Sequence, residues 1–312
     1  MQFFFITLFI LIILVVILVF AVSSKCEDAL CHPKAHSKEH EFEVIPKFGY
    51  DLKKTYDSLD LEEFELTVPN GYEIRGSVIR AEKDHSFTDG KERAVILVHG
   101  VTANSYTMLA QAEVWHRLGF NVIIYDQPAH GESGGGRCTM GYEESEDLVF
   151  IAEEMRKRFP EGTIFGMGGE SMGAATVMMA APKLPWMSFV YEDGGYATMR
   201  DEVPACLKYK AKLPSFPFSD LTIMYFDKRN EHKIDDIRPI DHVRKIAVPM
   251  LFVHGGQDRF VPTENVYKLY EAKEGPKEIK VFENCPHVKA CFMEHEEYYK
   301  TIKEFCQKYG II

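Results

Sequence analysis

Ser171 stands between glycines in Gly169-Glu170-Ser171-Met172-Gly173, just after the apolar run Thr163-Ile164-Phe165. A serine hydroxyl is a weak nucleophile. It becomes useful beside a general base that an acid orients. The spacing G-x-S-x-G suits a serine on a tight strand-to-helix turn, where flanking side chains would meet neighbouring backbone. Glycine at both flanks removes those side chains, and Ala174 and Ala175 let the helix lie close to the strand. The turn also puts Ser171 at a helix N-terminus, where free N–H groups favour developing negative charge. No Gly-Lys-Ser/Thr follows, so a phosphate-binding loop has no support.

Two later segments supply partners in the order serine, acid, histidine. Asp258 lies in VHGGQDRFVP and His287 in ENCPHVKA, each just beyond a predicted strand. Three loops at the carboxyl edge of one sheet can meet, and ligands bind there. Asp193 ends a strand too and is the rival acid. His254, ahead of Gly255-Gly256, reads as structural, and His295 falls in a predicted helix. Attack on a carbonyl creates an oxyanion that needs two N–H donors. Met172 follows the serine and supplies one. Val101, in His99-Gly100-Val101-Thr102 after the run AVILV, supplies the other, with His99 shaping the loop.

These loops need a scaffold. Residues 63–68 and 73–80 read as a strand pair around Pro69-Asn70-Gly71. Residues 94–100, 121–126, 163–167, 187–193, 249–255 and 277–283 read as further strands, several of them continuous apolar runs fit for burial on both faces. Helical stretches at 105–118, 142–158, 172–181, 263–272 and 294–309 separate them. Alternation of this kind predicts an α/β fold with a mostly parallel sheet. Glu143, Glu144, Glu146 and Asp147 read as one solvated helix face. About 55 residues between Asp193 and Met250 are too many for a simple crossover. They hold Pro204, the run Leu213-Pro214-Ser215-Phe216-Pro217-Phe218, and Met224-Tyr225-Phe226, as expected of an apolar cap insert near residues 196–240.

VILVHGVTANS, YDQPAHGESGG, GGESMGAAT, LFVHGGQDRFVP and CPHVKA occur in the order of the α/β-hydrolase superfamily. The chain resembles its YqkD-like bacterial serine hydrolases, which carry an N-terminal membrane segment. The resemblance covers roughly residues 63–309. It implies an α/β-hydrolase fold with a cap insert after the sixth strand of the central sheet. It also implies Ser171 as nucleophile, Asp258 as acid, His287 as base, and backbone at Val101 and Met172 as oxyanion hole. AHGES resembles the family's G-H-G-x-S loop, with Ala129 replacing the first glycine and His130 as a structural hydrogen-bonder. The histidine loop departs by carrying Cys285-Pro286, and Asp193 precedes two glycines.

Residues 3–22 hold no charge, and twenty residues at ~1.5 Å each cross a ~30 Å hydrocarbon layer. They read as a membrane anchor over residues 1–24, with the catalytic domain outside the cytoplasm. The alternative is a signal cleaved after small residues near Ser24. Residues 25–60 read as a polar linker running into a pre-domain segment and 61–312 as the hydrolase domain. The 312-residue chain carries a net charge of −11, which argues against nucleic acid as partner. Seven cysteines form no CxxC pair, and spacing permits a disulfide at Cys26–Cys31 or Cys285–Cys291. The expectation is a serine hydrolase acting on small acyl esters, without metal or organic cofactor. A serine peptidase, thioesterase or acyltransferase uses the same residues, and a binding protein on the same scaffold is the non-enzymatic alternative.

Overall fold

A computed structural model describes residues 1–82 and 87–312. Helices α1 (Gln2–Cys31), α2 (Lys38–Val44) and α3 (Leu52–Ser58) precede the sheet. Strands β1 (Glu62–Thr67) and β2 (Glu73–Ile79) form an antiparallel pair. Then come β3 (Arg93–Val98), α4 (Leu109–Arg117), β4 (Asn121–Tyr125), α5 (Tyr142–Arg156), β5 (Ile164–Glu170), α6 (Met172–Ala180) and β6 (Phe189–Asp193). The insert carries α7 (Met199–Cys206), a short π-helical turn (Leu207–Ala211), α8 (Ser215–Arg229) and α9 (Pro239–Val243). The chain closes with β7 (Met250–Gly255), α10 (Glu264–Ala272), β8 (Lys277–Phe282), α11 (Ala290–Met293) and α12 (His295–Lys308).

The eight strands lie in the order β1-β2-β4-β3-β5-β6-β7-β8. β2 runs antiparallel to β4, and every pairing from β4 to β8 is parallel. Strands β3 to β7 are buried throughout, apart from Ile164 at the start of β5, because helices cover both faces. One face packs Ile96, Phe165, Val177 and Phe252; the other packs Leu97, Trp115, Phe189 and Phe305. Parallel pairing brings the carboxyl ends of β3, β5, β6, β7 and β8 to one edge.

Three expectations change. Residues 25–60 form no loose linker: α1 runs on to Cys31, and Ile45 and Leu52 are buried. The acidic face of α5 is not all solvated. Glu144 is buried and accepts from the Thr139 and Gly141 N–H groups at 2.7 and 2.8 Å, while buried Asp147 accepts from the Tyr72 hydroxyl. Neither disulfide forms, and all seven cysteines are free.

A third apolar cluster joins the insert to the body. Leu207, Ile223 and Phe226 pack with Met172, Met140 and Cys31. The insert therefore lies over the end of the sheet that carries Ser171.

Candidate active site

Ser171 alone separates β5 from α6, at φ 55° and ψ −118°. Such angles are costly for a residue with a side chain and persist only where the surroundings enforce them. Here the Ser171 N–H donates to Asp193 O at 2.8 Å and the Ala175 N–H donates to Ser171 O at 3.1 Å. The turn is close-packed: a Cβ built on Gly173 would lie 2.1 Å from Val98 O. No larger residue fits there without moving β3.

His287 lies on the loop after β8, with Nε2 2.9 Å from Ser171 Oγ. Its Nδ1 lies 2.5 Å from Asp258 Oδ2, on the loop after β7. With Nδ1–H donating to the carboxylate, Nε2 is left to accept the serine proton. Asp258 is 7% exposed and ringed by donors. Its Oδ1 accepts the Phe260 and Val261 N–H groups, both at 2.9 Å. His254 Nε2 lies 3.3 Å from Oδ2 and 3.0 Å from Val261 O. Burial alone would raise the Asp258 pKa, but hydrogen bonds from His254 and His287 outweigh it and hold the carboxyl near 2. Burial also opposes charge on His254, yet its bond to Asp258 and the nearby Glu192 carry its pKa up to about 9. His287 moves the other way: burial lowers its pKa, although Asp258 pulls upward.

Asp193 is placed elsewhere. Its Oδ2 accepts from the Tyr298 hydroxyl at 3.0 Å, and burial lifts its pKa to about 6. The geometry thus brings Asp258, not Asp193, to His287.

The loop after β3 runs beside the serine. A Cβ built on Gly100 would lie 3.8 Å from Ser171 Oγ. His99 Nε2 accepts from the Gln127 N–H at 2.9 Å, and burial holds its pKa down near 3, so it stays neutral. His130 Nδ1–H donates to Pro128 O at 2.8 Å, and its Nε2 accepts the Thr102 N–H at 3.2 Å. Ala129 adopts the left-handed φ of 61° where the resembled loop has glycine. The Thr102 bond engages the backbone after Val101, and His99 Nδ1 lies 2.8 Å from Gly100 O before it. Among the described residues the Val101 and Met172 N–H groups make no hydrogen bond, which leaves both donors open.

Sequence reasoning missed two groups. His254 was read as structural and gives Asp258 a second imidazole. Its position four residues earlier, across Gly255-Gly256, was the available signal. Glu170, the residue before Ser171, is 3% exposed. Burial raises its pKa to about 8, with Lys289 opposing. Nothing in its sequence neighbourhood marks it as buried. His295 instead pairs with Glu113 at 2.5 Å, away from the serine.

The family model described as "Serine aminopeptidase, S33" matches residues 89–190. The uncharacterized protein YqkD of Bacillus subtilis (strain 168) is 28% identical over 259 residues, covering 82% of this chain and 83% of its own. The chain is similar to YqkD and has the α/β-hydrolase fold. Monoglyceride lipase of Mus musculus is 23% identical over 236 residues, covering 64% of this hydrolase and 77% of its own length. Among solved structures, the esterase Pf2001 of Pyrococcus furiosus superposes with a TM-score of 0.65 at 24% identity, covering 82% of this chain and 93% of that one. Est1E of Butyrivibrio proteoclasticus superposes at 0.62 and 18% identity, covering 80% and 99%.

Proposed function

We propose that this hydrolase cleaves carboxylic esters through an acyl-Ser171 intermediate. The reading rests on one observation above all: an unbroken hydrogen-bond line from Ser171 Oγ through His287 to Asp258. As Oγ attacks the ester carbonyl, its proton passes to His287 Nε2, and Asp258 stabilises the imidazolium that results. The Val101 and Met172 N–H groups take the developing oxyanion. His287 then gives its proton to the leaving alcohol. A water repeats the sequence on the acyl-enzyme and regenerates the serine. The apolar insert over Ser171 suits an acyl chain, and the names of the monoglyceride lipase and esterase relatives agree with that substrate class.

The same reading places α1 in a membrane as a single N-terminal anchor, since its apolar stretch is exposed on all sides. On this reading the hydrolase body lies outside the cytoplasm. A protease added to intact expressing cells then degrades the body.

The chemistry is tested with p-nitrophenyl esters of graded acyl length and the Ser171→Ala variant alongside. Turnover lost in the variant supports the ester reading, and the length profile measures the space under the insert. The family model's aminopeptidase description supports a second reading, hydrolysis of short peptides. Peptide turnover that depends on Ser171, with none on any ester, decides for it.

A further inference from the structure

Helix α1 does not end at the membrane boundary. Its buried residues Ser23, Glu27 and Cys31, with half-covered Val19 in line, form a stripe spaced four apart as one helix face requires. That stripe lies along α8 of the insert. Thr222 Oγ1 lies 3.5 Å from Ser23 O, Arg229 pairs with Glu27, and Asn230 Nδ2 lies 4.0 Å from Cys31 Sγ. Eight residues of α1 thus advance beside eight of α8, so the two helices run parallel. The N-terminal end of α8 then points back along the apolar part of α1. Phe218, four residues before Thr222, is level with Val19, roughly 6 Å beyond Ser23 at ~1.5 Å per residue. Helical geometry breaks at Phe216, and the chain leads back to the π-helical turn.

This tip has an unusual surface. Phe216 is 80% exposed, more than any other large apolar side chain outside α1 among the described residues. Lys208, Lys210 and Lys212 are exposed on the turn that precedes it, and residues 207–219 contain no acid, on a chain of net charge −11. An exposed aromatic that follows a turn of three exposed lysines, with its apolar side reaching ~5–10 Å past the polar boundary, fits a lipid–water interface.

We propose that residues 207–218 form a second membrane-contact surface, seated beside α1 in the headgroup layer of an anionic phospholipid bilayer. Phe216 reaches the acyl region, and the three lysines meet the phosphates. This rests on the reading of α1 as an anchor. The surface continues to the site: Tyr209 packs on Phe260 at 5.5 Å between ring centres, and Phe260 packs edge-on to His287 at 5.0 Å.

The test uses the full chain in vesicles of phosphatidylcholine and phosphatidylglycerol whose acyl chains are brominated to quench indole emission. Leu14→Trp reports the anchor and Phe216→Trp reports the tip, each corrected for wild-type emission from Trp115 and Trp186. The expected result is quenching of both, with bromines near the headgroup acting best on Phe216→Trp. Changing Lys208, Lys210 and Lys212 to Glu should cut the tip quenching by about half or more while sparing Leu14→Trp. Quenching of Leu14→Trp with none of Phe216→Trp overturns the inference and leaves the anchor standing. Quenching of neither removes the anchor reading and the inference with it.

Discussion

Asp193 ends β6, Asp258 lies on the loop after β7, and both are buried, yet only one faces His287. The difference is in the donors. Asp258 collects two backbone N–H groups and two imidazoles, whereas Asp193 has a single tyrosine hydroxyl. Asp258→Asn is therefore expected to lower kcat by about three to four orders of magnitude by favouring the wrong imidazole tautomer. Asp193→Asn should stay within about tenfold of wild type. Steady-state ester kinetics on the two variants decide the assignment. The lowered pKa of His287 sets a second expectation. A base must be neutral, and lowering its pKa keeps it neutral to lower pH. The acid limb of kcat/KM should then fall below 6.5, the ordinary histidine value. A pH-rate profile with its acid limb above that value contradicts the buried environment described for His287.

The elements differ in how plainly the chain announces them. β3, β4 and β7 are unbroken apolar runs bounded by glycine or polar turns, and β5 leads straight into the glycine-flanked serine. Their burial on two faces leaves no polar alternation to misread. Ser171 and Asp258 were legible for the same reason, since each follows such a strand, while His287 follows the half-exposed, charged β8 and was legible from its place after the last strand. The C-terminal third of α1 was not legible. Residues 25–31 look polar alone, and the groups that cover them lie about two hundred positions away on α8. His254 and Glu170 were obscure for the same reason, because tertiary neighbours set their roles. The α1–α8 contact carries its own prediction. Glu27 is 1% exposed, with Arg229 as its charged partner. Arg229→Ala strands that carboxylate. Because Arg229 is itself part exposed, the cost is discounted to about 1–3 kcal/mol. Chemical denaturation of wild type and variant in the same detergent measures it, and Glu27→Gln paired with Arg229→Ala should recover part of the loss.

Across the whole molecule, an acidic chain has buried several carboxyls near one edge of its sheet. Glu170, Glu192 and Glu202 are each pushed up to about 8, with burial as the leading cause. A carboxyl whose folded pKa exceeds its unfolded value binds more protons in the native state. Stability then falls as pH rises from about 4.5 toward 8 and levels beyond. Asp258 acts oppositely, but its window lies between 3.8 and about 2, well below this range. Glu170→Gln keeps the shape and removes the titration. Thermal melts should show the variant gaining on wild type as pH climbs from 5 to 8, with the two converging near pH 4.5. A constant difference across that range would contradict a protonated Glu170 in the folded protein.

Helix α1 is a single 30-residue element, about 45 Å long, with no hinge between its apolar stretch and the part packed on the body. With the apolar stretch in a bilayer, the enzyme inherits the motion of its root. It cannot tumble freely or sample all approaches to its substrate. It drifts in a plane and presents one fixed side to what drifts beside it. Encounter then depends on molecules per unit area, not per unit volume, and two dilute species confined to one sheet of lipid meet without either being abundant in the surrounding water.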